Sequence, residues 1–311
     1  MSMIKIINNS KTIIRFSWLS NFFLFLLLPC FVSAQKTDRK LQTAVEKAVE
    51  GFHGTVGVYI KKLGTDRAAA FNADTIFPTA SMIKLTILLG IMDKIEKKEL
   101  DYHGEFIYKD SLLYEGVDIL GSFKNGEKIE LSKLMMLMLT MSDNTASLWL
   151  QSLAGGGFRI NALLDSFGFK STRMNSRTEG RKEFQQIYGW GQTTPREIAR
   201  YMEKLHAKEF FSASTSERMM RLLGRNYWDE EGLSQIPPGI FVASKNGAVD
   251  ESRSQSILVM APHGPFVLSV MTKNQVDQSW QPNNEGWELI RKITTIAWEY
   301  FEPNYKWKSL Q

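Results

Sequence analysis

The stretch FPTASMIKLTILLGIMDKIEKKEL, residues 77–100, sets a serine three residues before a lysine at the head of a long apolar run that ends in charges. Pro78 and Thr79 mark the start of a helix, apolar residues surround its first turns, and the charges fall at its end, so the reading is a helix buried at its start and exposed at its finish. Ser81 then sits where unpaired backbone N–H groups and the helix dipole favour developing negative charge. Lys84 lies about one turn later on the same face. Burial near other cations lowers a lysine pKa, and a neutral amine can take the proton of a serine nucleophile. A helix cap followed by a surface lysine gives the same spacing, so Ser81 and Lys84 need support from elsewhere in the chain.

The S-x-x-K pattern occurs three times, at Ser2-Lys5, Ser33-Lys36 and Ser81-Lys84. The first two fall in or across a leader. Lys5, Lys11 and Arg15 precede the apolar run WLSNFFLFLLLPCFVSA, which ends in Val32-Ser33-Ala34, the pattern of a secretory signal peptide cut before Gln35. The apolar stretch from Phe22 to Val32 is short for a membrane span. Cys30, the only cysteine, lies in this leader, so no disulfide is expected in the mature chain. Lipidation of Cys30 fits less well, because Pro29 precedes it. Of the formal net charge of +5, the leader carries three positive charges, which leaves +2. No basic run interleaved with aromatics suggests nucleic-acid binding.

Working outward from residue 77, the segment from Gly54, GTVGVYIKKL, alternates as a strand, and AAAFNADTIF follows as a second extended piece. Helical patterns fill the middle: LSKLMMLMLTMSDNTASLWLQSLA, RINALLDSFGF, TPREIARYMEKLHAK and SERMMRLLGR. Between Ser171 and Thr194 no period holds, and Gly180, Gly189 and Gly191 predict a long ordered loop of functional kind. After Pro237-Pro238 strands return in GIFVASKNGAV, SQSILVMAP and PFVLSVMTK, and EGWELIRKITTIAWEYF closes the chain as an amphipathic helix. The expected fold is α+β: an antiparallel sheet built from both chain ends and flanked by helices, with an inserted all-helical subdomain. Residues 1–34 are the signal peptide; the sheet part covers about 35–80 and 237–311, the helical part about 81–236.

Two further motifs support Ser81 and Lys84. Ser142-Asp143-Asn144 follows a buried helix, presenting a hydroxyl, a carboxylate and an amide together. Lys245-Asn246-Gly247-Ala248 ends a strand, where a cation, a side-chain donor and a glycine permitting close approach can grip a substrate carboxylate. Each taken alone is also ordinary turn or edge polarity. In this order, with about sixty residues between the first two and about a hundred between the last two, the set resembles the active site of the class A serine β-lactamases. Phe77-Pro78-Thr79-Ala80 and Thr193-Thr194-Pro195 add to a likeness that runs from about Gly54 to the final helix.

The resemblance implies a β-lactam substrate and an acyl-serine intermediate on Ser81. Backbone N–H groups of Ser81 and Ala248 form the oxyanion hole, Lys84 assists proton removal, and Ser142 passes a proton to the departing nitrogen. Asn144, Lys245, Asn246 and Gly247 hold the substrate. The family also needs a loop glutamate to activate the deacylating water, with an asparagine four residues later. Arg177-Thr178-Glu179 offers Glu179, followed at the fourth place by Glu183 instead of asparagine; Glu183 is the alternative base. Asn246 replaces the family's Thr or Ser hydroxyl. These departures keep two rivals in view: a D-Ala-D-Ala peptidase or penicillin-binding protein with slow deacylation, and a non-catalytic binding protein of the same fold.

No cofactor or metal is expected, since His53, His103, His206 and His263 are scattered without ligand spacing. Tyr114 could stack on substrate, and Tyr188-Gly189-Trp190-Gly191 reads chiefly as aromatic anchoring of the loop. Arg253 reads as a surface residue that could add charge near Lys245. The mature protein is expected to be a periplasmic monomer.

Overall fold

The strand Thr55–Lys62 holds the middle of a six-stranded sheet and alternates as its sequence requires: Val56, Val58 and Ile60 enter one core, and Tyr59 enters the other. In this computed structural model the described residues are 35–307 except 117 and 225; the leader, Cys30 and the residues before the expected cleavage site lie outside them. Across the sheet the strands run Lys36–Thr37, Arg67–Phe71, Thr55–Lys62, Phe266–Lys273, Ser252–Val259 and Val242–Val249. Neighbours are antiparallel except the first pair. Both chain ends therefore build one sheet, and Val242–Val249 is left at its edge facing the helical part.

On one face the helix Glu285–Phe301 buries Trp287, Ile290, Ile293, Thr294 and Ala297, a stripe at helical spacing. It packs with a helix at Arg39–Val49 that the sequence reading passed over. That helix has only a narrow apolar stripe, Leu41, Val45 and Ala48, among charges. Its start signal was present in Asp38, whose side chain caps Leu41 N–H at 3.3 Å.

The other face carries the helical part. The run beginning at Ser81 divides into a tight 3-10 turn, Ala80–Ile83, and a helix, Lys84–Glu96, buried from Lys84 through Asp93. The segment read as one helix from 131 to 154 is interrupted. Leu131–Met136 widens into a π turn at Leu137–Met141, Ser142 takes a left-handed conformation (φ 61°), and a new helix runs Asn144–Leu153. Part of the cause is local: Asp143 is a better cap than helix interior, and its carboxylate accepts Ala146 N–H at 2.7 Å.

The aperiodic loop is ordered. A short strand Arg173–Met174 pairs with Gly191–Thr193, which pairs with Phe77–Pro78, and the helix Lys182–Tyr188 lies between. The 3.0 Å bond from Thr79 N–H to the Gly191 carbonyl ties this loop directly to the turn that carries Ser81.

Candidate active site

The turn Ala80–Ile83 presents Ser81 under backbone strain, because Ala80 before it sits at φ +43°, a conformation disfavoured for a residue with a Cβ. One turn on, Lys84 is fully buried with Nζ 3.0 Å from Ser81 Oγ, 3.0 Å from Ser142 Oγ, 2.6 Å from the Ser142 carbonyl and 2.9 Å from Asn144 Oδ1. Two of these four neighbours, the carbonyl and the amide oxygen, can only accept. A neutral amine satisfies them with its two N–H groups and keeps its lone pair for a serine hydroxyl. Burial, then the charge of Lys245, holds the Lys84 pKa well below the usual lysine value, with Asp143 opposing. The arrangement favours the amine that a proton acceptor requires.

Ser142 and Asn144 reach Lys84 because of the break between the two helices. The left-handed Ser142 turns both its carbonyl and its hydroxyl toward Nζ. Asp143 does not enter the cleft; it is fully buried and also accepts Ile119 N–H at 2.6 Å and Leu120 N–H at 2.9 Å, pinning the loop before it.

Lys245, also fully buried, lies on the edge strand with Nζ 3.0 Å from the Asn246 carbonyl and 3.2 Å from Asn246 Oδ1. Burial brings its pKa down to about 7, against a raising effect of Glu231. Two residues on, Gly247 presses the strand against the nucleophile turn. A Cβ there would lie 2.4 Å from the Thr79 carbonyl and 2.9 Å from Ser81 N. Ala248 lines the cleft beside Ser81.

Two connected hollows meet at Ser81, Asn144 and Ala248. One, of about 510 Å³, is walled by Tyr114, Ile187, Tyr188, Gly189 and Trp190. Tyr114 and Trp190 meet edge to face at 5.3 Å, and the Trp190 ring centre lies 6.0 Å from Lys84 Nζ. The aromatic part of the loop thus lines the cleft instead of only anchoring the loop. The other, of about 650 Å³, is lined by Ser142, Asn246, Trp228, Glu231, Trp280 and Arg291 among others.

Glu179 and Glu183 are not brought to this cluster. Both side chains are exposed, neither lines either hollow, and among the described residues neither makes a hydrogen bond or ion pair. The residue of this loop that approaches Lys84 is Trp190. Arg253 corrects its surface reading: it is fully buried between the rings of Trp280 (4.5 Å) and Trp287 (5.2 Å), and its guanidinium donates to the Ser252 carbonyl at 3.0 Å and the Ser279 carbonyl at 2.6 Å. On the strand its partner is Ala248, so its alternation takes it to the face opposite Lys245. Sequence reasoning missed Trp228, Glu231, Trp280 and Arg291, which converge from segments without any shared motif. His53, His103 and His263 pair with Glu285, Glu130 and Glu302 respectively.

A serine, a buried amine, a second serine on that amine and a cationic strand edge together define an acyl-transfer site of the serine nucleophile class. The chain belongs to the Beta-lactamase enzyme family, whose sequence profile matches residues 39–301. It is 28% identical over 244 residues to a β-lactamase of Streptomyces fradiae, covering 73% of this chain and 76% of that one. With a β-lactamase of Bacteroides uniformis it shares 26% over 296 residues, covering 89% and 96%. In fold it is similar to PBP-A (TM-score 0.77, 22% identity, 87% of this chain and 98% of that one) and to the β-lactamase of Sphaerobacter thermophilus (TM-score 0.75, 23% identity, 85% and 98%).

With the roles that the resemblance implies, Lys84 as proton acceptor and Lys245 as holder of the substrate carboxylate, the two lysines set opposite pH limits on catalysis. Lys84 must be neutral to accept a proton, so acylation falls as pH drops through its depressed pKa. Lys245 must be charged to hold a carboxylate, so substrate binding weakens as pH rises through about 7. The expected kcat/KM profile is a bell whose alkaline limb lies near neutrality. Lys245→Arg, which keeps its charge at every accessible pH, should move that limb out; an unmoved limb in the variant would assign it to another group.

Proposed function

We propose that this protein hydrolyses β-lactams through an acyl-enzyme on Ser81. The contact of the buried Lys84 amine with both Ser81 Oγ and Ser142 Oγ carries the reading. Lys84 Nζ takes the Ser81 proton as Oγ bonds to the lactam carbonyl carbon. The oxyanion forms against the N–H groups of Ser81 and Ala248. The C–N bond then breaks as Ser142 gives its proton to the departing nitrogen and is reprotonated from Lys84. Asn144 keeps the amine oriented through Oδ1. Lys245 and Asn246 receive the substrate carboxylate, the Asn246 amide donating where the family has a hydroxyl.

For release of the acyl group, Lys84 is again the base within reach: water attacks the ester carbonyl, Nζ accepts its proton, and the proton returns to Ser81 Oγ as the C–O bond breaks. Glu179 was the carboxylate expected for this step, with Glu183 its alternative; their exposure argues against both. Glu179→Gln and Glu183→Gln are therefore expected to deacylate within about twofold of the parent, read by intact mass after a single turnover. Accumulated acyl-enzyme in Glu179→Gln would restore the loop carboxylate as base.

The decisive assay mixes the mature protein with a chromogenic cephalosporin and follows both colour and intact mass. Sustained turnover that disappears in Ser81→Ala is expected. A single burst with a persistent adduct supports the penicillin-binding alternative, and neither turnover nor adduct sinks the reading. We further propose that residues 1–34 direct export to the periplasm and that the mature chain acts as a monomer in β-lactam resistance; N-terminal sequencing and sizing of the exported protein test this.

A further inference from the structure

We infer that the hollow beside Lys245 is a subsite for a positively charged ring on the leaving side of the substrate, which makes cationic β-lactams the preferred class. The inference rests on the proposed function for the direction in which substrate lies. Ser142 protonates the lactam nitrogen, so the ring fused to that nitrogen points into the hollow containing Ser142 and Asn246, and the acyl side chain points the other way, toward Tyr114 and Trp190.

Where a site for an anion alone would be cationic throughout, this hollow is lined by a carboxylate, Glu231. Its Oε2 is buried with no hydrogen-bond partner among the described residues, and its charge acts on Lys245. Burial raises its pKa to about 7. Its backbone is fixed. The next residue's N–H, Gly232, donates to the buried Gln255 Oε1 at 2.9 Å, and a Cβ on Gly232 would lie 2.6 Å from that same oxygen. The Glu231 carbonyl also accepts the Ser234 hydroxyl at 2.6 Å. A partnerless carboxylate oxygen on a residue that lines a cavity is an unmet demand for a donor or a cation.

The walls suit a flat cation. Trp228 and Trp280 line the hollow with 38% and 60% of their surfaces exposed, so aromatic surface remains available although Arg253 stacks on Trp280 from within. Glu230 adds a second acid at the rim. Arg291 is the opposing charge there, and its guanidinium is held by the Pro282 carbonyl at 2.6 Å. The substrate carboxylate lies against Lys245 and Asn246, and the cation attached beyond it lies between Glu231 and the tryptophans.

The test compares two cephalosporins with one acyl chain, carrying either a pyridiniomethyl or an acetoxymethyl group at the 3-position. Binding to Ser81→Ala protein is measured by calorimetry, so no chemistry intervenes. The pyridinium compound is expected to bind about tenfold more tightly. In Ser81→Ala/Glu231→Gln that ratio should fall to within about twofold, and Glu230→Gln should lower it in part. Equal or weaker binding of the pyridinium compound overturns the inference, as does a preference that survives Glu231→Gln. If wild-type protein acylates with neither compound while Ser81→Ala still prefers the cation, the proposed function fails and the subsite stands.

Discussion

Replacing Lys84 by methionine should yield a folded protein whose acylation by penicillins or cephalosporins falls roughly a thousandfold, within the range for loss of a positioned proton acceptor. Methionine fills a similar volume, so the surrounding helix has no reason to repack. The Ser142 carbonyl and Asn144 Oδ1 lose their shared donor, a loss of about 1–3 kcal/mol for buried acceptors left unmade. Removing a desolvated amine offsets part of this. Lys84→Arg separates base from charge: a guanidinium fixes a positive charge where the native amine is neutral, and it has no lone pair at any working pH. Both variants should fail to acylate, as read by the rate of adduct formation on Ser81. An arginine variant retaining more than about a tenth of the parent rate would show that Lys84 acts through charge, not as the general base of acylation.

The sequence carried the parts of the fold with regular periods. The final helix, Glu285–Phe301, is legible to both ends, because Trp287, Ile290, Ile293 and Ala297 repeat at helical spacing. The three late strands are legible as short apolar-rich runs separated by turn residues at Asp250-Glu251 and His263-Gly264. Three motifs sufficed to place Ser81, Lys84, Ser142, Asn144 and Lys245 in one site, since each lies on or next to a regular element. What could not be read was geometry set by tertiary contact. The break at Ser142 depends on Asp143 being captured by two loop N–H groups more than twenty residues upstream. The loop between Ser171 and Thr194 contains glutamates at suggestive spacing, yet its path is set by pairing of Arg173–Met174 and Phe77–Pro78 with Gly191–Thr193. That pairing carries Trp190 to the cleft and leaves Glu179 and Glu183 in solvent. Spacing in an aperiodic segment says which groups are near in sequence; only the strand pairing says which side chain arrives.

Gly247→Ala should cost catalysis far more than its one methyl group suggests. The added Cβ would meet the Thr79 carbonyl at 2.4 Å, Ser81 N at 2.9 Å and Met82 N at 3.0 Å, all backbone atoms that cannot rotate away. Relief requires the edge strand and the nucleophile turn to separate. The strand is held along its length by Ser252–Val259, and the turn by the Thr79 to Gly191 bond and by the helix behind it. Separation therefore opens the gap between Ser81 and Ala248, the two residues whose N–H groups are proposed to share the oxyanion. Losing one such donor lowers the rate about a hundredfold or more, and overpacking of this kind destabilises by about 1–3 kcal/mol. The acylation rate constant and urea unfolding should report these effects separately. Gly64→Ala supplies the comparison: its φ of +74° strains any side chain, but nothing lies within 4 Å of the new Cβ. That variant should lose about 1–2 kcal/mol of stability and none of its acylation rate. If Gly247→Ala loses stability in the same way and still acylates at the parent rate, the strand does not supply the oxyanion donor, and Ser81 must stabilise the tetrahedral intermediate with its own N–H and another group.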